Sequence, residues 1–134
     1  MLAKIQNRHA LQNLSSIISE ADGIIINRGT LKLNLTAPNL VYVQDYIIQK
    51  CKLAGKPVFL ASQIASSMEN NPMATHSEIA DISLAVHQGV DGLVLSGETA
   101  CGPFYKEAVE LVSQVCVKIE THTNYLKNYK HIEE

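Results

Sequence analysis

No segment of this chain is strongly basic: 11 Lys and Arg are set against 13 Asp and Glu, the formal net charge is -2, and no run of positive residues forms a stripe. A surface able to track a phosphate backbone is therefore not expected, and nucleic acid is excluded as a partner. Long apolar runs are missing as well. Nothing approaches the roughly 18 residues of a membrane span, and Met1 to Gln6 lacks the apolar core of a secretory leader. The reading is a soluble, cytoplasmic protein with no membrane partner. Cysteine is scarce: Cys51, Cys101 and Cys116 are odd in number, far apart and without a C-x-x-C pair, which points to reduced structural thiols. His9, His76, His87, His122 and His131 show no i,i+4 pair, so zinc is not expected and the rings are read as solvent-facing. There is no nucleophile elbow. Two glycosylation acceptors, at Asn13 and Asn34, matter only on a secretory route that nothing here suggests.

The chain does have the material for one core. Its 134 residues are 46% hydrophobic and 18% charged, which fits a single globular domain and argues against disorder. An internal echo gives the architecture: Ala21-Asp22-Gly23-Ile24-Ile25-Ile26 returns as Val90-Asp91-Gly92-Leu93-Val94-Leu95, with Gly55-Lys56-Pro57-Val58-Phe59-Leu60-Ala61 between them. The spacing of about 35 residues is that of one strand plus one helix. Short, β-branched runs that are apolar throughout fit parallel strands covered on both faces. A first strand is read at Leu2 to Ile5. The intervening segments carry helical stripes: Leu11, Leu14, Ile17 and Ile18, then Ile47, Ile48 and Cys51, then Ile79, Ile82 and Val86 behind a Thr75/Glu78 capping box. The last helix carries Ala108, Val109, Leu111, Val112, Val115, Cys116 and Ile119. The domain is read as residues 1–121, followed by a frayed polar tail at 122–134.

The loops after the four strands carry the chemistry-bearing residues: Lys4-Ile5-Gln6-Asn7, Asn27-Arg28-Gly29-Thr30-Leu31, Ala61-Ser62-Gln63 and Leu95-Ser96-Gly97-Glu98-Thr99-Ala100. In order and spacing they resemble the pyruvate kinase motifs KIEN, ARGDLG, ATQ and LSGETA. Cys51 to Val58 is similar to that family's helix-to-strand crossing, and Glu78 to Asp81 to its E-x-x-D stretch. The resemblance implies an α/β fold: a parallel β/α half-barrel of four β/α units, derived from a TIM barrel and corresponding to its fifth to eighth units. It also implies the family reaction of glycolysis, in which a phosphoryl group passes from phosphoenolpyruvate to ADP with Mg²⁺ and K⁺, giving pyruvate and ATP. Carried over position by position, Lys4 is the catalytic residue that stabilises the enolate and phosphoryl oxygens, and a substrate contact. Gly29 is a backbone donor, and Thr30 and Ser62 stand at substrate-binding positions. Most nucleotide and potassium contacts belong to the other half of the family's barrel.

The departures from the family pattern decide the functional expectation. Gln6 stands where the family has a magnesium-ligating glutamate, and Thr30 where it has a magnesium-ligating aspartate. Mg²⁺ is a hard ion that leans on one or two carboxylates plus phosphate oxygens. If each carboxylate contributes ~2 kcal/mol, their loss weakens the site roughly a thousandfold. Ser62 replaces a threonine and keeps its hydroxyl, Asn27 replaces a small alanine, and Lys32 replaces a glycine, so a reshaped loop is expected there. Lys4 also admits a plain reading as a solvated strand-end residue. Arg28 is read as a tie between loops, Glu98 as a structural ion pair or loop bond, and Ser96 and Thr99 as bonding their own backbone. The expected protein is a truncated pyruvate kinase relative, inactive alone. The alternative is a non-catalytic interaction or regulatory module pairing with itself or with a pyruvate kinase subunit, and a remnant without a selected role is a third possibility. Bare strand edges at Leu2 to Ile5 and Gly92 to Leu95 are expected, with Ile24, Ile26, Phe59 and Leu93 on an uncovered inner face.

Overall fold

The structure, a computed structural model, describes residues 1–130, with side chains through His122. It divides into two compact units, residues 1–64 with 88–96, and residues 65–87 with the chain from 97 onward.

The first unit is built on a four-stranded, wholly parallel sheet in the order β1-β2-β3-β4, with β1 at Leu2–Ile5, β2 at Gly23–Asn27, β3 at Val58–Ala61 and β4 at Gly92–Val94. The strand order follows the sequence order, so β1 and β4 are the edges, as expected. The Gly-bounded runs become strands because their β-branched residues suit a pleated surface and the glycines permit close entry. A Cβ on Gly23 would stand 2.7 Å from Leu2 Cδ2 and 3.0 Å from the Pro57 ring and carbonyl. Entry into β4 is fixed by Asp91, whose carboxylate accepts the Val58 amide at 2.8 Å while its own amide donates to the Val58 carbonyl. The N-terminal ammonium pairs with Asp22, and this partner holds the Asp22 carboxyl below its usual range.

The register corrects the assignment of strand faces. Ile24 pairs with Val58, and Ile26 with Ile5 and Leu60, while Ile25 pairs with Phe59. Side chains alternate along a strand and register partners share a face, so Ile24 and Ile26 cannot lie beside Phe59. Ile5, Ile24, Ile26, Val58 and Leu60 are all 0% exposed, as are Ile47, Ile48 and Cys51 of α4 (Ala37–Leu53), which lies against β2 and β3. Leu93 sits level with Leu60 and belongs to this covered face too. The opposite face carries Lys4, Ile25, Phe59 and Gly92 at one level and Asn27, Ala61 and Val94 at the next. Of the four residues expected on the inner face, Phe59 alone is there.

The first helical segment is interrupted, giving α1 (Arg8–Gln12) and α2 (Leu14–Glu20). Asn7 caps α1 by accepting from the Ala10 amide at 2.9 Å. Asn13 then ends it, its side-chain amide donating to the His9 carbonyl, a local bond that competes with the helical ladder. Of the expected stripe, Leu14 and Ile18 are buried and Leu11 and Ile17 half-buried.

The second unit contains a short 3₁₀ turn (Ser66–Glu69), α5 (His76–Gln88, its last residue counted with the first unit), α6 (Gly97–Ala100) and α7 (Tyr105–Lys130). α3, a single turn at Arg28–Leu31, belongs to the first unit. The capping box forms: the Glu78 amide donates to Thr75 Oγ1 at 3.2 Å and the Thr75 amide to Glu78 Oε2 at 2.8 Å. Glu78 also accepts from the Ser67 amide and hydroxyl. Burial pushes its carboxyl up, but the bonds from Ser67 and Thr75 outweigh this and hold it below the usual range. On α5, Ile82 and Ala85 are buried while Ile79 and Val86 are half-buried. On α7, Ala108 and Val112 are buried, whereas Val109, assigned to the stripe, is 51% exposed. The helix does not end at 121; its backbone continues to Lys130, and residues 131–134, with His131, lie outside the described residues. The other four histidines are exposed, as expected.

Candidate functional site

The carboxyl ends of β1, β2 and β3 bring the motif residues of the first unit to one edge of the sheet. Lys4 lies on the open face, exposed, one register step from the end of β1. Gln6 follows that end directly and is half-buried, and Asn7 then starts α1.

Arg28 organises the loops after β2 and β3. It is 7% exposed, and its guanidinium donates from Nε and Nη2 to the Ser62 carbonyl, both at 3.2 Å, and from Nη2 to the Gln63 carbonyl at 2.8 Å. This is the loop-tying role expected of it. Those carbonyls belong to two successive non-glycine residues in the left-handed region, Ser62 at φ 71° and Gln63 at φ 59°. Such a conformation costs an L-residue about 1–2 kcal/mol, so the planar, always-charged fork holds a strained dipeptide in place.

Around this turn three further residues converge. Ser62 Oγ donates to Asn27 Oδ1 at 2.9 Å, and Thr30 Oγ1 donates to the Asn27 carbonyl at 3.2 Å. Gly29 fits against both, since a Cβ there would stand 3.3 Å from Ser62 Cβ and Oγ and 3.4 Å from Asn27 Oδ1. Glycine here allows a close approach, and its backbone is not left-handed. Lys32, expected to reshape the loop, closes α3 as an ordinary right-handed C-cap at φ -60°. The structure thus gathers Gly29, Thr30 and Ser62 into one cluster, with Lys4 on the neighbouring strand and Gln6 directly after it. Asn27 as the shared acceptor, and the left-handed Ser62-Gln63 pair, were not foreseen. A polar residue at a strand end hints at the first; no glycine or asparagine marked the second.

The donor set does not suit Mg²⁺. The residues after β1, β2 and β3 offer the Gln6 amide, the Thr30 and Ser62 hydroxyls and the Asn27 amide, with no carboxylate, and a hard divalent ion requires formal negative charge from its site. Among the described residues no group of three or more His, Cys, Asp or Glu could hold a metal ion. In the second unit, Glu98 is 2% exposed and accepts the Ala65 amide at 3.1 Å, the loop bond expected of it.

Parallel strands joined by helices, with polar motifs at the strands' carboxyl ends, define a partial β/α barrel of the enzyme type. The family described as "Pyruvate kinase, barrel domain" matches residues 1–109, and the chain belongs to the pyruvate kinase family. It is 40% identical to the pyruvate kinase of Leishmania mexicana over 124 residues, 92% of this chain and 25% of the relative. To that of Eimeria tenella it is 41% identical over 130 residues, 97% of this chain and 24% of the relative. A crystal structure of a pyruvate kinase from Cryptosporidium parvum superposes with a TM-score of 0.90 at 39% identity, covering 98% of this chain and 27% of that one. A second, of the Cryptosporidium parvum enzyme in complex with ADP, gives 0.89. The chain therefore spans about a quarter of the length of the relatives it matches.

Proposed function

We propose that this chain is a partial pyruvate kinase barrel that does not by itself transfer a phosphoryl group from phosphoenolpyruvate to ADP. The observation that carries this reading is the uncharged donor set at the ends of β1 and β2: an amide at Gln6, and at Thr30 a hydroxyl whose proton is committed to the Asn27 carbonyl. Phosphoryl transfer depends on positioning and on neutralising charge through the metal, so a site that cannot attract Mg²⁺ loses the central element of the mechanism. Lys4, Gly29, Thr30 and Ser62 keep the outline of a substrate site, with phosphoenolpyruvate and ADP as the family's ligands and Mg²⁺ and K⁺ as its ions. Calorimetric titration of Mg²⁺ into the chain and into Gln6→Glu/Thr30→Asp tests the reading. The double variant gains affinity by roughly a thousandfold if two carboxylates at ~2 kcal/mol each are what is missing. Equal affinity in both proteins refutes it.

A second reading is favoured by the sheet itself. Its open face presents Ile25 and Phe59, half-buried, with Leu2 at 48% and Val94 at 36% exposure, and both edge strands have one bare side. A module that pairs with a second copy of itself, or with a pyruvate kinase subunit, would cover that face and satisfy those edges. Light scattering behind size exclusion tests this: a dimer or a mixed complex supports it, and a stable monomer at tens of micromolar refutes it. The three free cysteines fit a reducing compartment such as the cytoplasm, and among the described residues no helix is long and apolar enough to cross a membrane.

A further inference from the structure

The cluster at the end of β2 contains a conflict between its charge and its hydrogen bonding. From residue 1 to 19 and from 23 to 44 the chain has no Asp or Glu, while Lys4, Arg8, Arg28 and Lys32 lie in those stretches. These stretches, which hold the ends of β1 and β2, therefore carry net positive charge, which favours an anion over a cation. The local donors are turned the other way. A hydroxyl has one proton to give. Ser62 gives its proton to Asn27 Oδ1 at 2.9 Å, and Thr30 gives its own to the Asn27 carbonyl at 3.2 Å. Both hydroxyls then offer only lone pairs to whatever arrives, and lone pairs repel an oxyanion.

Asn27 is level with Ala61 and Val94 on the open face of the sheet, so its side chain shares that face with the mouth of the site. Gly29 leaves room for the Asn27 amide to reach Ser62. Arg28 fixes the Ser62 carbonyl, so the Ser62 backbone is held and its hydroxyl is the freely rotating part.

We propose that Asn27 determines what this site accepts: by holding the Ser62 hydroxyl turned inward, it keeps a small carboxylate or phosphate oxyanion from being bound there. This rests on the reading of these loops as a former phosphoenolpyruvate site. With Asn27 removed, an arriving oxyanion no longer has to break that neutral hydrogen bond to reach the hydroxyl, a difference in affinity of about five- to tenfold.

The test uses the full 134-residue chain. Phosphoenolpyruvate is titrated without metal into the wild type, Asn27→Ala, Ser62→Ala and the double variant, at constant ionic strength, and the amide resonances of Gly29, Ser62 and Gln63 are followed. Asn27→Ala binds about five- to tenfold more tightly than wild type, and adding Ser62→Ala to it removes the gain. The proposal is overturned if Asn27→Ala binds no better than wild type, or if its gain survives Ser62→Ala. Those outcomes leave the site reading intact. Failure of phosphoenolpyruvate to move these resonances in all four proteins overturns both.

Discussion

Replacing Arg28 by methionine keeps most of its length and apolar stem and removes the fork that holds the turn after β3. The donor contacts that disappear include two to the Ser62 carbonyl at 3.2 Å and one to the Gln63 carbonyl at 2.8 Å. Hydrogen bonds from a charged donor contribute about 1.5–3 kcal/mol each, and the two at 3.2 Å share one acceptor and are counted together. The strain of two left-handed residues, about 1–2 kcal/mol each, is no longer opposed by the clamp. Part of that strain relaxes when the turn moves, so the net loss is expected at about 3–5 kcal/mol. Arg28→Lys recovers only a fraction, because an ammonium cannot span two carbonyls as a planar fork does. Urea denaturation of the three proteins gives the comparison, and Gln63→Gly is the complement. It removes the penalty at φ 59° on an exposed residue and should stabilise by about 0.5–1 kcal/mol. A loss below about 1 kcal/mol in Arg28→Met, inside the range of an ordinary surface change, refutes the clamp.

Phe59→Ala on the open face should cost less stability than Leu60→Ala on the covered face, where a buried leucine truncation costs about 2–5 kcal/mol; equal losses would contradict the corrected strand faces. The Glu78 carboxyl is held below its unfolded value, so its contribution to stability is fully present above the unfolded pKa and is lost as pH falls through the folded one. Denaturant midpoints should therefore drop below about pH 4.3, the ordinary glutamate range, and Glu78→Gln should flatten that drop; an unchanged acid profile would refute the assignment. Burial, with the charge of Asp91, pushes the Cys51 thiol up to about 11, so at pH near 8 a thiol reagent should modify exposed Cys101 and spare Cys51 until the protein unfolds.

The strand order, the two edges and the capping box could be read from the sequence because each is a local signal: a glycine-bounded β-branched run, or a Thr and a Glu three apart. That neither Gln6 nor Thr30 carries a carboxylate was equally plain. The faces of the strands were not legible, since runs apolar throughout carry no alternation, and a one-residue slip exchanges Ile24 for Ile25 without altering the pattern. The break at Asn13 turned on whether one side chain bonds the His9 carbonyl or points to water. The left-handed Ser62-Gln63 turn lacks a glycine, and Arg28, which holds it, is about 35 residues away in the chain, a separation that only the register of β2 on β3 closes.

Phosphorus NMR shows whether this partial barrel performs the family's phosphoryl transfer alone, which the proposed function denies. The purified chain, free of host pyruvate kinase, is mixed in stoichiometric amount with phosphoenolpyruvate, ADP, Mg²⁺ and K⁺. The phosphoenolpyruvate resonance is expected to persist for hours, with no ATP formed. ATP appearing at a rate proportional to the amount of chain, and abolished by Lys4→Met, would contradict it.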